Sequence, residues 1–263
     1  MHRIRTWSRT RRLLVVLMVI AAAELAFMGV QAYLHPKRTT LVYNPRVIAG
    51  QQLAGWCAGG FYARQGDSIV VTSAGHCAPA GTVVNADDGS GPIGVFGPKA
   101  FMATCPHPDH ECVASDIAAV VLEPSRIPWG HLNEVDMGVG GYRILAAGTK
   151  PLTCGDIKVG DLVEIDGRQE FRTGKVLDKG EYLHADDGSY FPCIVAASIN
   201  AGSGDSGGAV LVNGVPAGAT TRELGGKLGF TPLAEGLEAL GLVLCTTPDC
   251  DLTPPGASPS ATP

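Results

Sequence analysis

A hydroxyl, an imidazole and a carboxylate stand out from an apolar, glycine-rich sequence. Ser206 lies in Gly204-Asp205-Ser206-Gly207-Gly208, His76 in Thr72-Ser73-Ala74-Gly75-His76-Cys77, and Asp116 follows Ser115 at the head of the run Ile117–Leu122. A serine hydroxyl is a weak nucleophile until a base takes its proton. An imidazole does this best when a buried carboxylate fixes its tautomer and stabilises the imidazolium that forms. Glycines around Ser206 let the backbone turn so that the N–H groups of Gly204 and Ser206 point at one spot, the requirement for an oxyanion hole. Each string alone is an ordinary turn. Together they spell nucleophilic acyl transfer, with His76, Asp116 and Ser206 as the catalytic groups and no metal or organic cofactor required.

Two other readings of these residues fail on simple grounds. Gly204-x-Ser206-x-Gly208 also fits the nucleophile elbow of α/β-hydrolases, but those enzymes place their acid and histidine after the serine. All seven histidines here lie at positions 2 to 184, before Ser206. The cluster Cys105-Pro-His-Pro-Asp-His-Glu-Cys112 offers thiols and imidazoles to a metal. A zinc site needs ligands that converge tetrahedrally, usually from two separate turns, and one short loop with two prolines hardly provides that. A Cys105–Cys112 bridge is the expectation, and no metal site is expected.

Catalytic groups of this kind need a rigid frame, and the composition says which. Charged residues are 17% of the 263 and glycines number 35, against about 25% charged in ordinary globular chains. Short β-type runs (Ser68–Thr72, Ile117–Leu122, Asp161–Ile165, Gly208–Val212) alternate with Gly, Asp-Gly and Pro-Gly turns. That spacing predicts an all-β fold, an antiparallel sandwich or barrel, rather than a helical bundle. One helix is expected, Pro232 to Leu240, with Leu233, Leu237 and Leu240 on one face.

Charge separates the chain into two parts. Up to Ala32 there are five Arg and one acid, Glu24, whereas 15 basic residues face 24 acidic ones in the remainder. A body that acidic is a poor binder of nucleic acid, so no nucleic-acid partner is expected. The arginines precede an almost uncharged stretch, Leu13 to Leu34, long enough as a helix to cross a hydrocarbon core of about 30 Å. Residues 1–34 are therefore expected to be a signal peptide or a signal anchor, with the rest exported. Val30-Gln31-Ala32 suits signal cleavage, and Glu24 near mid-membrane costs an anchor about 3 kcal/mol. If uncleaved, the segment makes the membrane a partner. Residues 35–46 read as a stalk and 247–263 as a disordered Pro/Ser/Thr-rich tail. Export makes disulfides the default for the eight cysteines.

From Val47 to Leu244 the chain resembles the chymotrypsin-like serine proteases, in particular the small secreted bacterial (streptogrisin and alpha-lytic) branch. The motifs that carry this are Ser73-Ala-Gly-His76-Cys77, Gly204-Asp205-Ser206-Gly207-Gly208, the lead-in Trp56-Cys57-Ala-Gly-Gly-Phe61 and the ending Phe230-Thr-Pro-Leu233. The resemblance implies two packed six-stranded antiparallel β-barrels over 47–246, the first about 47–135 and the second about 136–246. It also implies His, Asp, Ser order along the chain, a protein or peptide substrate, and a Cys57–Cys77 bridge tying down the histidine loop. Cys154 with Cys193 and Cys245 with Cys250 are the remaining proposed pairs, with other pairings open.

The resemblance places a specificity pocket beside the serine, its base six residues earlier at Asn200. An uncharged base implies no preference for Arg or Lys, and apolar or small residues are expected instead. Thr221 lies on the segment Thr220–Glu223 that should run along the substrate, where Arg222 and Glu223 would narrow the pocket. Arg46-Val47-Ile48-Ala49-Gly50 looks like an activation site whose new amine would pair with Asp205. Alternatively, Val47 simply begins the first strand. Beside the exported endopeptidase stands a reading from another class, a catalytically weak or silent peptide-binding module at the cell envelope.

Overall fold

A computed structural model describes residues 49–50, 52–53, 57–85, 90–102, 109–167, 170–183 and 188–252. The expected N-terminal segment 1–34, the stalk 35–46, Val47 and Cys105 lie outside the described residues. Among those described, no helix is long and apolar enough to cross a membrane.

Among the described residues the fold is all-β, with one short α-helix. In its first half run β1 (Gln52–Leu53), β2 (Cys57–Ala58), β3 (Tyr62–Gln65), β4 (Ser68–Ser73), β5 (Val83–Asn85), β6 (Pro92–Phe101) and β7 (Glu111–Leu122). A small ribbon of β8 (Glu134–Asp136) and β9 (Tyr142–Ile144) leads to the second half. There follow β10 (Leu162–Gly167), β11 (Glu170–Leu183), β12 (Ser189–Asn200), β13 (Ala209–Val212), β14 (Val215–Leu224) and β15 (Lys227–Pro232). Helix α1 (Leu233–Leu240) and β16 (Val243–Leu244) complete the order.

The second half closes on itself. Neighbours run β10, β13, β14, β15, β12, β11 and back to β10, all antiparallel, a six-stranded barrel as expected. The first half is also six strands, in the order β5, β6, β7, β4, β3, β16, but its end strands β5 and β16 do not pair among the described residues. Its last strand comes from the far end of the chain: β16 returns to pair with β3, so the boundary expected near 136 is crossed once. A short parallel contact of Ser189 and Tyr190 with Glu111 and Cys112 joins the two sheets.

Strand alternation explains how the halves hold together. On β4, Ile69 and Val71 face the core of the first half while Val70 faces a second apolar cluster. On β7, Ala118, Val120 and Leu122 join the first core, and Ile117 and Ala119 join that second cluster. From the other side, β13 sends Val210 and Val212 into the closed barrel, and Ala209 and Leu211 into the shared cluster. Successive side chains point to opposite faces, so a strand buried on both faces reads as a continuous apolar run. Helix α1 adds Leu233 and Leu237 to the shared cluster. The Gly225-Gly226 turn, with φ of 58° and 81°, joins β14 to β15 in the two-residue geometry that requires positive φ at both positions.

Three of the proposed disulfides are formed: Cys57–Cys77, Cys154–Cys193 and Cys245–Cys250. Cys112 is disulfide-bonded as well. Residues 247–252, expected to begin the tail, are instead packed. Leu132 donates to Pro248 O at 2.9 Å, Cys250 is buried, and Leu252 packs on the first core.

Phe230, on β15, has no solvent exposure at the centre of the closed barrel. Phe230→Ala is expected to lower unfolding free energy by about 3–5 kcal/mol, measured by denaturant titration of the folded protein.

Candidate active site

The imidazole, the carboxylate and the hydroxyl singled out by sequence meet at the seam between the two halves. His76 stands in the turn after β4, Asp116 in β7, and Ser206 in the turn before β13. His76 Nδ1 is 2.6 Å from Asp116 Oδ2 and its Nε2 is 3.0 Å from Ser206 Oγ. The backbone N–H of His76 also donates to Asp116 Oδ1 at 3.0 Å. The side chain of Asp116 is 4% exposed, that of His76 41%. The carboxylate is thus sealed in, while the imidazole edge that meets Ser206 stays open to a substrate.

Asp116 is held from the second half. Thr221 Oγ1, on β14, donates to Asp116 Oδ2, and the backbone N–H of Asp116 donates to Thr231 Oγ1 at 3.0 Å on β15. Ser115 Oγ donates to Pro232 O at 2.7 Å. Burial pulls the Asp116 pKa upward, but hydrogen bonds from His76 and Thr221 and the attraction of the imidazole outweigh it. The carboxyl is held below its ordinary value and stays ionised.

The turn that carries Ser206 is seated by close approach of backbones. Gly207 has φ of 85°, and a Cβ there would lie 2.4 Å from Ala58 O and 2.5 Å from Ser73 Oγ. Ala58 N–H donates to Ser206 O at 2.7 Å and Gly207 N–H to Thr220 O at 2.8 Å. The N–H groups of Gly204 and Ser206, expected to form the oxyanion hole, donate to no group among the described residues. Asp205 is buried and its carboxylate is committed: Oδ1 pairs with Arg172 at 2.6 Å and Oδ2 accepts from Gly202 N–H at 2.8 Å. Arg172 on β11 thus pairs with the carboxylate to which the sequence offered an amine at Val47. The two sulfurs beside His76 belong to the Cys57–Cys77 bridge, so the three residues Cys57, His76 and Cys77 do not make a metal site.

Ser206 opens onto a cleft of about 240 Å³ lined by Ala201, Gly202 and Ser203 on one side and by Thr220–Glu223 and Leu228 on the other. Thr221 is among its lining residues. Asn200 does not line it. A register shift between Ala197 and Asn200 brings Asn200 opposite Lys227 at the end of β12, and its carbonyl accepts from Arg172 at 2.6 Å. The residues after it form the wall instead.

No family model matches the chain, and no curated protein matches it in sequence. Solved structures do. Thermobifida fusca protease A is 23% identical over 76% of this chain and 98% of its own length, with a TM-score of 0.57. Cellulomonas bogoriensis chymotrypsin is 22% identical over 77% and 100%, with a TM-score of 0.56. The fold is that of the bacterial chymotrypsin-like serine proteases. Nocardiopsis protease repeats the result at 23% identity, 76% and 98% coverage and a TM-score of 0.57. In this protease fold Ser115, Thr231 and Arg172 are supports that sequence reading missed. Ser115 alone left a trace, as a second polar residue in an apolar strand.

The sign of the pH effect follows from Asp116. Its native pKa lies below the unfolded value of about 3.9, so it stabilises the fold above that pH. The contribution is lost as pH falls through the native value. Asp116→Asn is expected to remove this acid limb from melting curves recorded from about pH 6 down to about pH 2. The same variant is expected to lower kcat by about 10⁴-fold, through loss of the imidazole tautomer.

Proposed function

We propose that the chain is an exported serine endopeptidase. Ser206 Oγ attacks the carbonyl of a peptide bond while His76 Nε2 takes its proton, and Asp116 stabilises the imidazolium. The N–H groups of Gly204 and Ser206 hold the oxyanion. His76 then gives the proton to the leaving amine, and water, activated by the same imidazole, releases the acyl group from Ser206. The observation that carries this reading is the continuous relay from Asp116 Oδ2 through both imidazole nitrogens to Ser206 Oγ, at 2.6 and 3.0 Å. Of the two acids that line the cleft, Asp205 is neutralised by Arg172 and Glu223 Oε1 accepts the Gly226 N–H in its own turn.

Export is supported by the disulfides, which persist outside the reducing cytoplasm. In this reading residues 1–34 carry the chain across the membrane, removed as a signal or retained as its anchor. Pairing of Asp205 with Arg172 supports a site competent without an amine at Val47.

A fluorophosphonate probe tests the reading. Expected is labelling at Ser206 in protein whose Arg46–Val47 bond is intact by mass spectrometry, with turnover of an unfolded protein substrate. Ser206→Ala is expected to abolish labelling and to lower kcat by about 10⁶-fold. A folded chain that neither labels nor cleaves would favour the peptide-binding module. Labelling confined to chains beginning at Val47 would restore activation by cleavage.

A further inference from the structure

Arg222 lines the same cleft as Ser206, and no carboxylate among the described residues pairs with it. It lies one residue beyond Thr221, whose hydroxyl holds Asp116. The guanidinium lies over Phe191 and Tyr182, 4.9 and 5.2 Å from the ring centroids. Those two residues are partners across β11 and β12. Arg222 Nε is buried and has no hydrogen-bond partner among the described residues.

Neighbouring arginines are answered by carboxylates, although Arg172 Nε, like Arg222 Nε, is buried without a partner among the described residues. Arg143 also lies over a ring, Phe171 at 5.8 Å, but pairs with Glu164 at 2.8 Å, and Arg172 pairs with Asp205 at 2.6 Å. Three described acids near the cleft are already engaged. Asp205 serves Arg172, Asp116 serves His76 and Thr221, and Glu223 Oε1 accepts the Gly226 N–H at 3.0 Å in its own turn. A guanidinium stacked on aromatic rings keeps its charge and its planar fork of donors in one orientation. A buried donor without an acceptor is costly. A carboxylate arriving with a ligand would meet the remaining donors of the guanidinium in a charge-assisted bond.

We propose that Arg222 selects substrates bearing an Asp or Glu side chain on the acyl side of the scissile bond. This rests on the serine endopeptidase reading. The acyl half is the part that stays joined to Ser206, so it is the part that a cleft lined by Ser206 and β14 must hold. Ala201 and Leu228 provide the uncharged surface of the same cleft, and Arg222 adds a requirement for negative charge.

Matched internally quenched peptides with Glu, Gln or Lys at each of the acyl-side positions one to four test this on the full chain. At one position or more, kcat/KM for Glu is expected to exceed that for Gln by about tenfold, with Lys poorest. The Glu-to-Gln ratio is expected to shrink with added salt. It should fall to about one in Arg222→Gln and persist in part in Arg222→Lys. Equal rates for Glu and Gln in a chain that labels with fluorophosphonate would overturn the acidic preference and leave the protease reading standing. A ratio unchanged in Arg222→Gln would equally remove Arg222 as its source. Anisotropy of the same peptides on Ser206→Ala reads the preference without turnover. A chain that never labels but binds the Glu peptide more tightly, through Arg222, would lose the protease reading and keep the recognition.

Discussion

A carboxylate that is 4% exposed and still ionised is the constraint around which this molecule is built. Water's place around Asp116 must be taken by donors with fixed positions, because an unpaired buried charge costs several kcal/mol. The donors come from both halves: the side chain and backbone of His76 from the first, and the Thr221 hydroxyl from the second. Neither half supplies the whole set. The buried charge of Asp116 is therefore compensated, and His76 oriented, only when the two sheets are packed together. The shared cluster around Phe61, Ile117, Leu211 and Leu233 provides that packing.

A second buried acid solves the same problem differently. Asp205 sits next to the nucleophile, and Arg172 and the Gly202 N–H satisfy its two oxygens. Arg172 also donates to the carbonyl of Asn200. One guanidinium thereby fixes both ends of the turn that presents the Gly204 and Ser206 N–H groups. Both acids are local to the reacting atoms, yet their partners lie on distant strands. Cleft chemistry and barrel closure are therefore one problem, since β11, which carries Arg172, also closes the barrel against β12.

What could be read from the chain beforehand was what lies close together along it. His76 and Ser206 announce themselves through glycine-rich turns, because backbone approach at Gly207 excludes any side chain. Asp116 was readable only through its order and its apolar strand. Thr221, Thr231 and Arg172 were not readable as supports, since they meet their acids across 105, 115 and 33 residues. Asn200 was misplaced for a related reason. The irregularity after Ala197 sets Asn200 opposite Lys227 at the end of β12, and no local signal marks such a shift. The all-β class and the helix Leu233–Leu240 were legible in period and turn spacing. The return of β16 to the first sheet and the packing of Cys250 were not, because a two-residue strand and a short loop leave no periodicity.

The central relation is between Asp116 and the Nδ1 proton of His76, and proton NMR of the folded chain observes it directly. A strongly deshielded Nδ1–H resonance is expected in the native protein, lost in Asp116→Asn and shifted in Thr221→Ala while the fold is retained. A folded chain with no such resonance, or one whose resonance survives in Asp116→Asn, would contradict the view that Asp116 holds His76 toward Ser206.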